Sequence, residues 1–251
     1  MGSKIILKSQ KLKDFIKDMQ EVNRNPRGTT GVLDMLEDIN TNPTQSIKPK
    51  KILYRARIFD GPINTSSRFI GFSEKESFVP PTKLARDLRA NYRYIPYLYC
   101  SDKEYGAVCE VRPRLGAMVS VAEIIVNDEI KIFDLTYDSK PKGMNRTKDN
   151  LCRDLSELFA KPITNEDDVF DYIPTQYIAE FIKNLGYDAM AYKCALSDKS
   201  RNIVVFSYKK CKPISSSVFS ISAQIIEIQS ENDRNAVKEI TGDFEDQLRL
   251  L

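Results

Sequence analysis

The chain has 251 residues, of which 41% are hydrophobic and 29% charged, a composition typical of a globular protein and not of a disordered one. Lys and Arg number 38 against 35 Asp and Glu, so the formal net charge of +3 argues against a protein that coats nucleic acid or an anionic membrane. The sequence contains no histidine. That absence excludes Ser-His-Asp and Cys-His catalysis and the common histidine metal sites.

The cysteines indicate a reduced protein without a metal. Five are scattered along the chain: Cys100, Cys109, Cys152, Cys194 and Cys211. An odd number without a Cys-x-x-Cys pair is typical of free thiols in the cytosol and offers no cluster for zinc or iron–sulfur. No segment approaches the ~18 apolar residues that span a bilayer, and the first residues lack the apolar region of a signal peptide. We therefore expect a cytoplasmic protein with no metal and no membrane association.

Residues 1–50 predict a helical N-terminal extension. Leu12, Phe15 and Met19 recur at helical spacing, and a second periodic stretch covers residues 32–39. The region is rich in lysine and arginine, which we interpret as a solvated helical face. A basic arm that binds a partner or a nucleic acid is the alternative.

Residues 52–54 and 97–100 each predict a short strand. A short helix is expected directly after the second strand. The sequence Ser-Asp-Lys-Glu at 101–104 has the form of a capping box and predicts a helix that ends at Val111. The side chains expected on its buried face are Tyr105, Val108 and Cys109. Glu110 follows Val108 by two positions, about 200° around the helix, and is expected to point away from that face.

Further elements follow in chain order. They are a hairpin of residues 118–126 and 131–135 around Asn127-Asp128, a helix through Leu151 and Phe159, a helix opened by Pro174 and ended by Gly186, strands at 189–192 and 202–208, and a β-like stretch that ends near 228. Short strands mixed with helices predict an α+β fold.

Three segments combine arginine with aromatic or acidic residues. Alternation places Arg55 and Arg57 on one strand face, where a guanidinium pair can bind phosphate bidentately. Residues 89–100 interleave arginines with four tyrosines, which suits a nucleotide or a single-stranded nucleic acid. Glu110 lies among apolar residues and needs a partner. Each segment alone also fits ordinary structure, namely a solvated strand face, a tyrosine-rich sheet edge and an ion pair with Arg112.

In their order and spacing these segments resemble the RES-domain family. The resemblance covers roughly residues 27–208 and rests on six segments: 53–58, 89–100, 106–113, 172–181, 186–188 and 202–206. Known members of that family are bacterial toxins that deplete NAD by breaking its nicotinamide–ribose bond. Their fold resembles that of ADP-ribosyltransferase toxins, and they commonly pair with an Xre-type helix-turn-helix antitoxin. The resemblance implies an ADP-ribosyltransferase-like core of short mixed strands with flanking helices, a catalytic domain at 51–212 and a C-terminal extension of that domain at 213–251.

The resemblance also implies the site residues. It assigns catalytic roles to Glu110 and Arg55, and NAD contacts to Arg55, Arg89 and Tyr99. The family serine falls on Cys194, with Ser197 as the alternative. Glu110 would stabilise the positive charge that develops on the ribose, the arginines would hold the pyrophosphate and Tyr99 would pack against the nicotinamide. This chemistry needs no histidine, because nicotinamide leaves as a neutral molecule without taking a proton.

The resemblance thus favours an NAD glycohydrolase or phosphorylase, a toxin or effector that takes NAD as its substrate and needs no metal. One alternative is a mono-ADP-ribosyltransferase that acts on a macromolecule. Others are a non-catalytic nucleic-acid-binding module and a RES-like scaffold without activity. A homo-oligomer, formed through the N-terminal or C-terminal extension, is a further open alternative.

Overall fold

The structure is a computed structural model that describes residues 6–25, 31–40, 45–136, 146–161, 169–223, 226–229 and 237–240. The helices in these ranges are α1 (Gln10–Glu21), α2 (Val32–Asn40), α3 (Glu104–Glu110), α4 (Arg146–Ala160) and α5 (Val169–Asn184). The strands are β1 (Gln45–Ile47), β2 (Ile52–Phe59), β3 (Leu98–Ser101), β4 (Met118–Val126), β5 (Ile130–Asp134), β6 (Ala189–Cys194), β7 (Ser197–Val205), β8 (Cys211–Ser220), β9 (Ile226–Gln229) and β10 (Val237–Ile240).

Eight strands form one mixed sheet in the order β1-β5-β6-β7-β3-β2-β4-β8, while β9 and β10 form a separate antiparallel pair. Within the large sheet β5 and β6 run parallel, and the other neighbouring strands run antiparallel. A parallel pair needs a long crossover connection, and α4 and α5 lie in the chain between β5 and β6. The predicted α+β class of short mixed strands with flanking helices is confirmed.

The two faces of the central strands carry different side chains. Tyr54 of β2 pairs with Ser101 of β3, so alternation sends Tyr99 to one face, and Arg55 and Cys100 to the other. Tyr99 packs against the core formed with helices α1, α2, α4 and α5, and we call this side the helical face. The side of Arg55 and Cys100 is the rear face, where Cys100 packs in a second core.

Helix α1 belongs to the core of the helical face. Its buried residues Leu12, Phe15 and Met19 match the predicted periodicity, which is confirmed, and they pack with residues of α4 and α5. Asp154 of α4 accepts hydrogen bonds from the backbone N–H groups of Lys8 and Ser9, each at 2.6 Å. This buried carboxylate therefore ties the start of α1 to the rest of the domain. The domain boundaries at residues 50 and 212 stay a prediction.

The predicted hairpin of residues 118–126 and 131–135 is wrong. Strand β4 lies between β2 and β8, whereas β5 lies between β1 and β6. The N–H of Val126 donates to Lys51 and that of Asn127 to Lys210, so the turn residues are held by other segments. Long-range pairing overrides the local turn signal here.

Two helix predictions also need correction. In α3 the buried residues are Gly106 and Ala107, whereas Tyr105 is 69% exposed, because the smallest side chains face the sheet. The N-cap is Lys103, whose N–H donates to the Ser101 hydroxyl, so no capping box forms. Helix α5 begins at Val169 rather than at Pro174. Pro174 has no N–H for the Phe170 carbonyl, which instead accepts a hydrogen bond from the side chain of Gln20.

Candidate active site

A cavity of about 240 Å³ lies on the helical face, between β3, β6, the end of α3 and the end of α4. Three predicted site residues line it together: Arg89, Tyr99 and Glu110. Its other charged and aromatic lining residues are Arg112, Phe159, Lys161 and Tyr192. A carboxylate, three cationic side chains and three aromatic rings thus share one cavity.

Glu110 is the last residue of α3, and its side chain is exposed to the cavity. Its Oε2 accepts a hydrogen bond of 2.8 Å from Nδ2 of Asn202 in β7. Helix α3 lies close to the sheet because Gly106 has no side chain. A Cβ at this position would lie 2.4 Å from the Ser200 hydroxyl and 2.5 Å from that of Ser101.

The chain turns sharply after α3 and returns to the cavity. Arg112 adopts a φ of 46°, in the left-handed region that a non-glycine residue rarely occupies. Its N–H donates to the Cys109 carbonyl, and Pro113 follows and prevents continuation of the helix. The turn places Arg112 in the cavity lining beside Glu110.

Arg89 lies in the loop before β3 and is 6% exposed. Its Nε donates to the Lys161 carbonyl at 2.7 Å, and its guanidinium lies 5.1 Å from the centre of the Tyr172 ring. The loop is held by Gln176 of α5, which donates to the carbonyls of Leu88 and Asn91 at 3.0 and 2.9 Å. The segment around Gln176 therefore fixes the loop that carries Arg89.

The hydroxyl of Tyr99 is already engaged in this loop. It donates to Oδ1 of Asn91 at 2.6 Å and accepts a hydrogen bond from the N–H of Ala90 at 3.3 Å. Burial raises the pKa of Tyr99, so the phenol stays neutral. The ring of Tyr99, and not its hydroxyl, is thus what the cavity can use.

Tyr192 and Asn202 are functional candidates that the sequence analysis missed. They lie opposite each other in β6 and β7, and Tyr192 packs 5.6 Å from the Phe159 ring. Burial raises the pKa of Tyr192, and the nearby charge of Glu110 raises it further. A polar residue at the start of the apolar run 203–206 was the signal available for Asn202.

Arg55 does not line this cavity. It lies on the rear face, and its Nη1 donates to the carbonyl of Ser77 at 3.3 Å, with a longer contact of 3.5 Å to that of Glu76. Arg57 shares that face, as alternation predicts, and donates to the Glu76 carbonyl at 3.0 Å. Burial lowers the pKa of Arg55 to about 10, although the nearby Cys100 thiol opposes the shift.

Cys194 and Ser197 pair across the turn that joins β6 to β7, and neither lines the cavity. Cys194 is buried and lies near Cys109 of α3 and Tyr192. Which of the two takes the role of the family serine stays a prediction.

The sequence identifies the family to which the chain belongs. Residues 52–224, more than half of the chain, match the RES domain family, so the chain belongs to that family. A similar solved structure is the M. tuberculosis MbcT–MbcA toxin–antitoxin complex, with a TM-score of 0.46 and 13% identity over 76% of this chain and 93% of that chain. No curated protein sequence matches the chain.

Two features are absent from the described residues. None of the helices there combines the length and apolar character that crossing a bilayer requires. The same part of the chain holds no group of three or more acidic or cysteine side chains that could bind a metal ion.

Proposed function

We propose that this protein cleaves the nicotinamide–ribose bond of NAD, as a glycohydrolase or a phosphorylase. The observation that carries the proposal is the carboxylate of Glu110, oriented by Asn202 in a cavity with cationic and aromatic side chains. When nicotinamide leaves, positive charge develops on the ribose, and a fixed carboxylate stabilises that charge. Asn202 holds one carboxylate oxygen, and the other is available to a ribose hydroxyl.

The cationic side chains would bind the phosphates of NAD. Arg89, Arg112 and Lys161 line the cavity, and guanidinium groups pair with phosphate oxygens more specifically than lysine does. At about 240 Å³ the cavity is smaller than the ~300–1,000 Å³ typical of ligand pockets. We therefore expect it to hold the nicotinamide riboside end, with the phosphates at its mouth and the rings of Tyr99 and Tyr192 against the nicotinamide.

The proton balance fits a site without histidine. Neutral nicotinamide leaves without a proton, so only the incoming water or phosphate has to lose one, and Glu110 can accept it as a base. Cys194 and Ser197, at the turn after β6, do not line the cavity, so the one that takes the role of the family serine would contact a part of NAD that extends beyond it. In this proposal Arg55, whose guanidinium contacts carbonyl groups on the rear face, acts on the site only through the sheet.

The test is product analysis with the wild type and Glu110→Gln. Wild-type protein incubated with NAD should release nicotinamide together with ADP-ribose in water, or with a phosphorylated ADP-ribose when inorganic phosphate is present. Glu110→Gln should lower the rate by about 100-fold or more, as expected when a charge-stabilising group is lost. Equal nicotinamide release by both proteins would contradict the role of Glu110. Transfer of the ADP-ribose to a macromolecule would identify the alternative, a mono-ADP-ribosyltransferase.

We further infer that the protein acts as a bacterial toxin in the cytoplasm and is neutralised by a helix-turn-helix antitoxin of the Xre type. Membership of the RES domain family supports this inference. Expression of the wild type in a bacterium should stop growth and deplete NAD, and expression of Glu110→Gln should do neither. Growth arrest by both proteins at normal NAD levels would separate toxicity from NAD cleavage and contradict the inference.

A further inference from the structure

Asn202 has an unusual environment for an amide. It is 3% exposed and lies in the centre of the sheet, paired with Tyr192 on one side and Ser101 on the other. Its Nδ2 donates to Glu110, while its Oδ1 is buried without a hydrogen-bond partner among the described residues. A buried acceptor left unpaired destabilises the folded state, because it loses its hydrogen bonds to water. The fold therefore tolerates an unfavourable group at the residue that contacts the carboxylate.

The carboxylate itself dictates which way this amide points. An ionised carboxylate only accepts hydrogen bonds, so the NH₂ group of Asn202 must face Glu110. The opposite orientation would place the amide oxygen against the carboxylate oxygen, two acceptors in contact. The unpaired Oδ1 is thus a consequence of the bond to Glu110 and not a separate defect.

Among the residues that the structure describes, Asn202 is the one that donates a hydrogen bond to Glu110. The other titratable or charged groups near this carboxylate come from α3, the turn after it, the loop before β3, the end of α4, and strands β3 and β6. They are Cys109, Arg112, Arg89, Lys161, Tyr99 and Tyr192. A glutamate at an exposed helix end has several rotamers, and losing them costs free energy. One buried donor fixed in the sheet defines a single orientation before the substrate arrives.

We propose that Asn202 is a positioning residue, which holds the Glu110 carboxylate aimed at the ribose in NAD cleavage. This inference rests on the proposed function. Its consequence is an effect on the rate of the chemical step and little effect on substrate binding, because the bond to Glu110 matters most when charge develops.

The experiment compares Asn202→Ala and Asn202→Asp with a matched control, Ser200→Ala. Ser200 lies two residues earlier on the same face of β7, is buried and has an unpaired hydroxyl, but it makes no hydrogen bond to Glu110. We expect kcat to fall about tenfold in Asn202→Ala and about 100-fold in Asn202→Asp, where a second carboxylate replaces the donor. KM should stay within about twofold in both variants, and Ser200→Ala should keep kcat within about twofold.

A double-mutant cycle separates positioning from structural support. In the Glu110→Gln background, Asn202→Ala should cause no further loss of the residual rate, because its only route to the chemistry is gone. The same tenfold loss in both backgrounds would overturn the inference, as would a normal kcat for Asn202→Asp. If Asn202→Ala unfolds, Asn202→Ser, which keeps a small donor, takes its place in the cycle. If the wild type releases no nicotinamide, the proposed function itself fails. If the wild type is active but the cycle gives the same loss in both backgrounds, only the positioning role of Asn202 fails.

Discussion

Arg55 and Arg89 belong to segments with similar sequence signals, yet they lie on opposite faces of the sheet. Arg55 is a strand residue on the rear face, and its guanidinium contacts the backbone carbonyls of Ser77 and Glu76. Arg89 is a loop residue on the helical face, where it lines the cavity that contains Glu110. The comparison teaches that an arginine near an aromatic strand predicts a phosphate site only when its face of the sheet is known.

The two faces also differ in what covers them. On the rear face the segment 72–79 lies over the strands, where Arg57 stacks 4.2 Å from the centre of the Phe72 ring and donates to Glu76. These guanidinium groups stabilise a loop. On the helical face α3 approaches closely at Gly106 and then ends at Glu110, which leaves a carboxylate facing open space. On the rear face Arg55 and Arg57 bind the loop that covers the strands, whereas on the helical face a cavity remains beside Glu110.

The largest expected effect tests the cavity side of this comparison. Arg89→Ala should lower kcat/KM for NAD cleavage by about 100-fold, because it removes a cation that lines the cavity, and Arg89→Lys should restore only part of the loss. Arg93→Ala is the matched control, since Arg93 is an exposed arginine of the same loop that does not line the cavity. Equal losses in Arg89→Ala and Arg93→Ala, measured as nicotinamide release, would contradict a role specific to Arg89.

The next effect concerns the close approach of α3. Gly106→Ala would place a Cβ within 2.6 Å of both atoms of the Ser200 side chain, so we expect α3 to shift and the free energy of unfolding to fall by about 1–3 kcal/mol. NAD cleavage should fall too, because the shift moves Glu110 away from Asn202. The double variant Gly106→Ala/Ser200→Gly should recover part of both losses in urea unfolding and activity assays. No recovery would mean that the clash with Ser200 is not the cause.

Much of the fold could be predicted because its signals are local. The spacing of Leu12, Phe15 and Met19 fixes the buried face of α1, and the exposure of Glu110 follows from its place on a short helix. The prediction that β4 pairs with β5 was wrong, because the neighbour of each strand depends on which distant strand pairs best with it. Tyr105 was placed on the wrong face because the sequence gives no account of how closely the sheet approaches Gly106.

The site was predictable only in part for the same reason. Arg89, Tyr99 and Glu110 come from segments that the family resemblance covers, and the structure brings them to one cavity. Tyr192 and Asn202 are recognisable only when the register of β6 and β7 is known, since that register places both beside the end of α3. For Arg55 the resemblance implied a place in the site that the structure does not give it. The pairing of Tyr54 with Ser101 places Arg55 on the rear face of the sheet, and the sequence alone does not reveal that pairing.

A third test addresses the rear face. Arg55→Leu should lower the free energy of unfolding by about 1–3 kcal/mol, because the carbonyl of Ser77 loses its charged donor beneath a closed loop. Urea unfolding and nicotinamide release measured on the same preparation separate stability from activity. Loss of NAD cleavage with an unchanged unfolding free energy would give Arg55 the direct site role that the family resemblance implies, and the contrast between the two faces would fail.

The smallest expected effect separates the pH dependence of stability from that of activity. Burial alone would raise the pKa of Asp188, but the hydrogen bonds from Lys210 and from the Lys131 N–H outweigh it, so the pKa lies below its ordinary value of 3.8. Because the folded state holds this carboxylate ionised, its stabilisation is complete above that ordinary value and is lost as the pH falls through the lower folded value.

Asp188→Asn should therefore lower the free energy of unfolding at neutral pH by less than about 1 kcal/mol, and the difference from the wild type should vanish in strong acid. Lys210→Met should reproduce the neutral-pH loss, because it removes the same ion pair. Asp188 does not line the cavity, so the pH profile of nicotinamide release should keep its shape in both variants. A change in that profile, measured where both variants remain folded, would couple this ion pair to the site and weaken the separation between the cavity and the rest of the sheet.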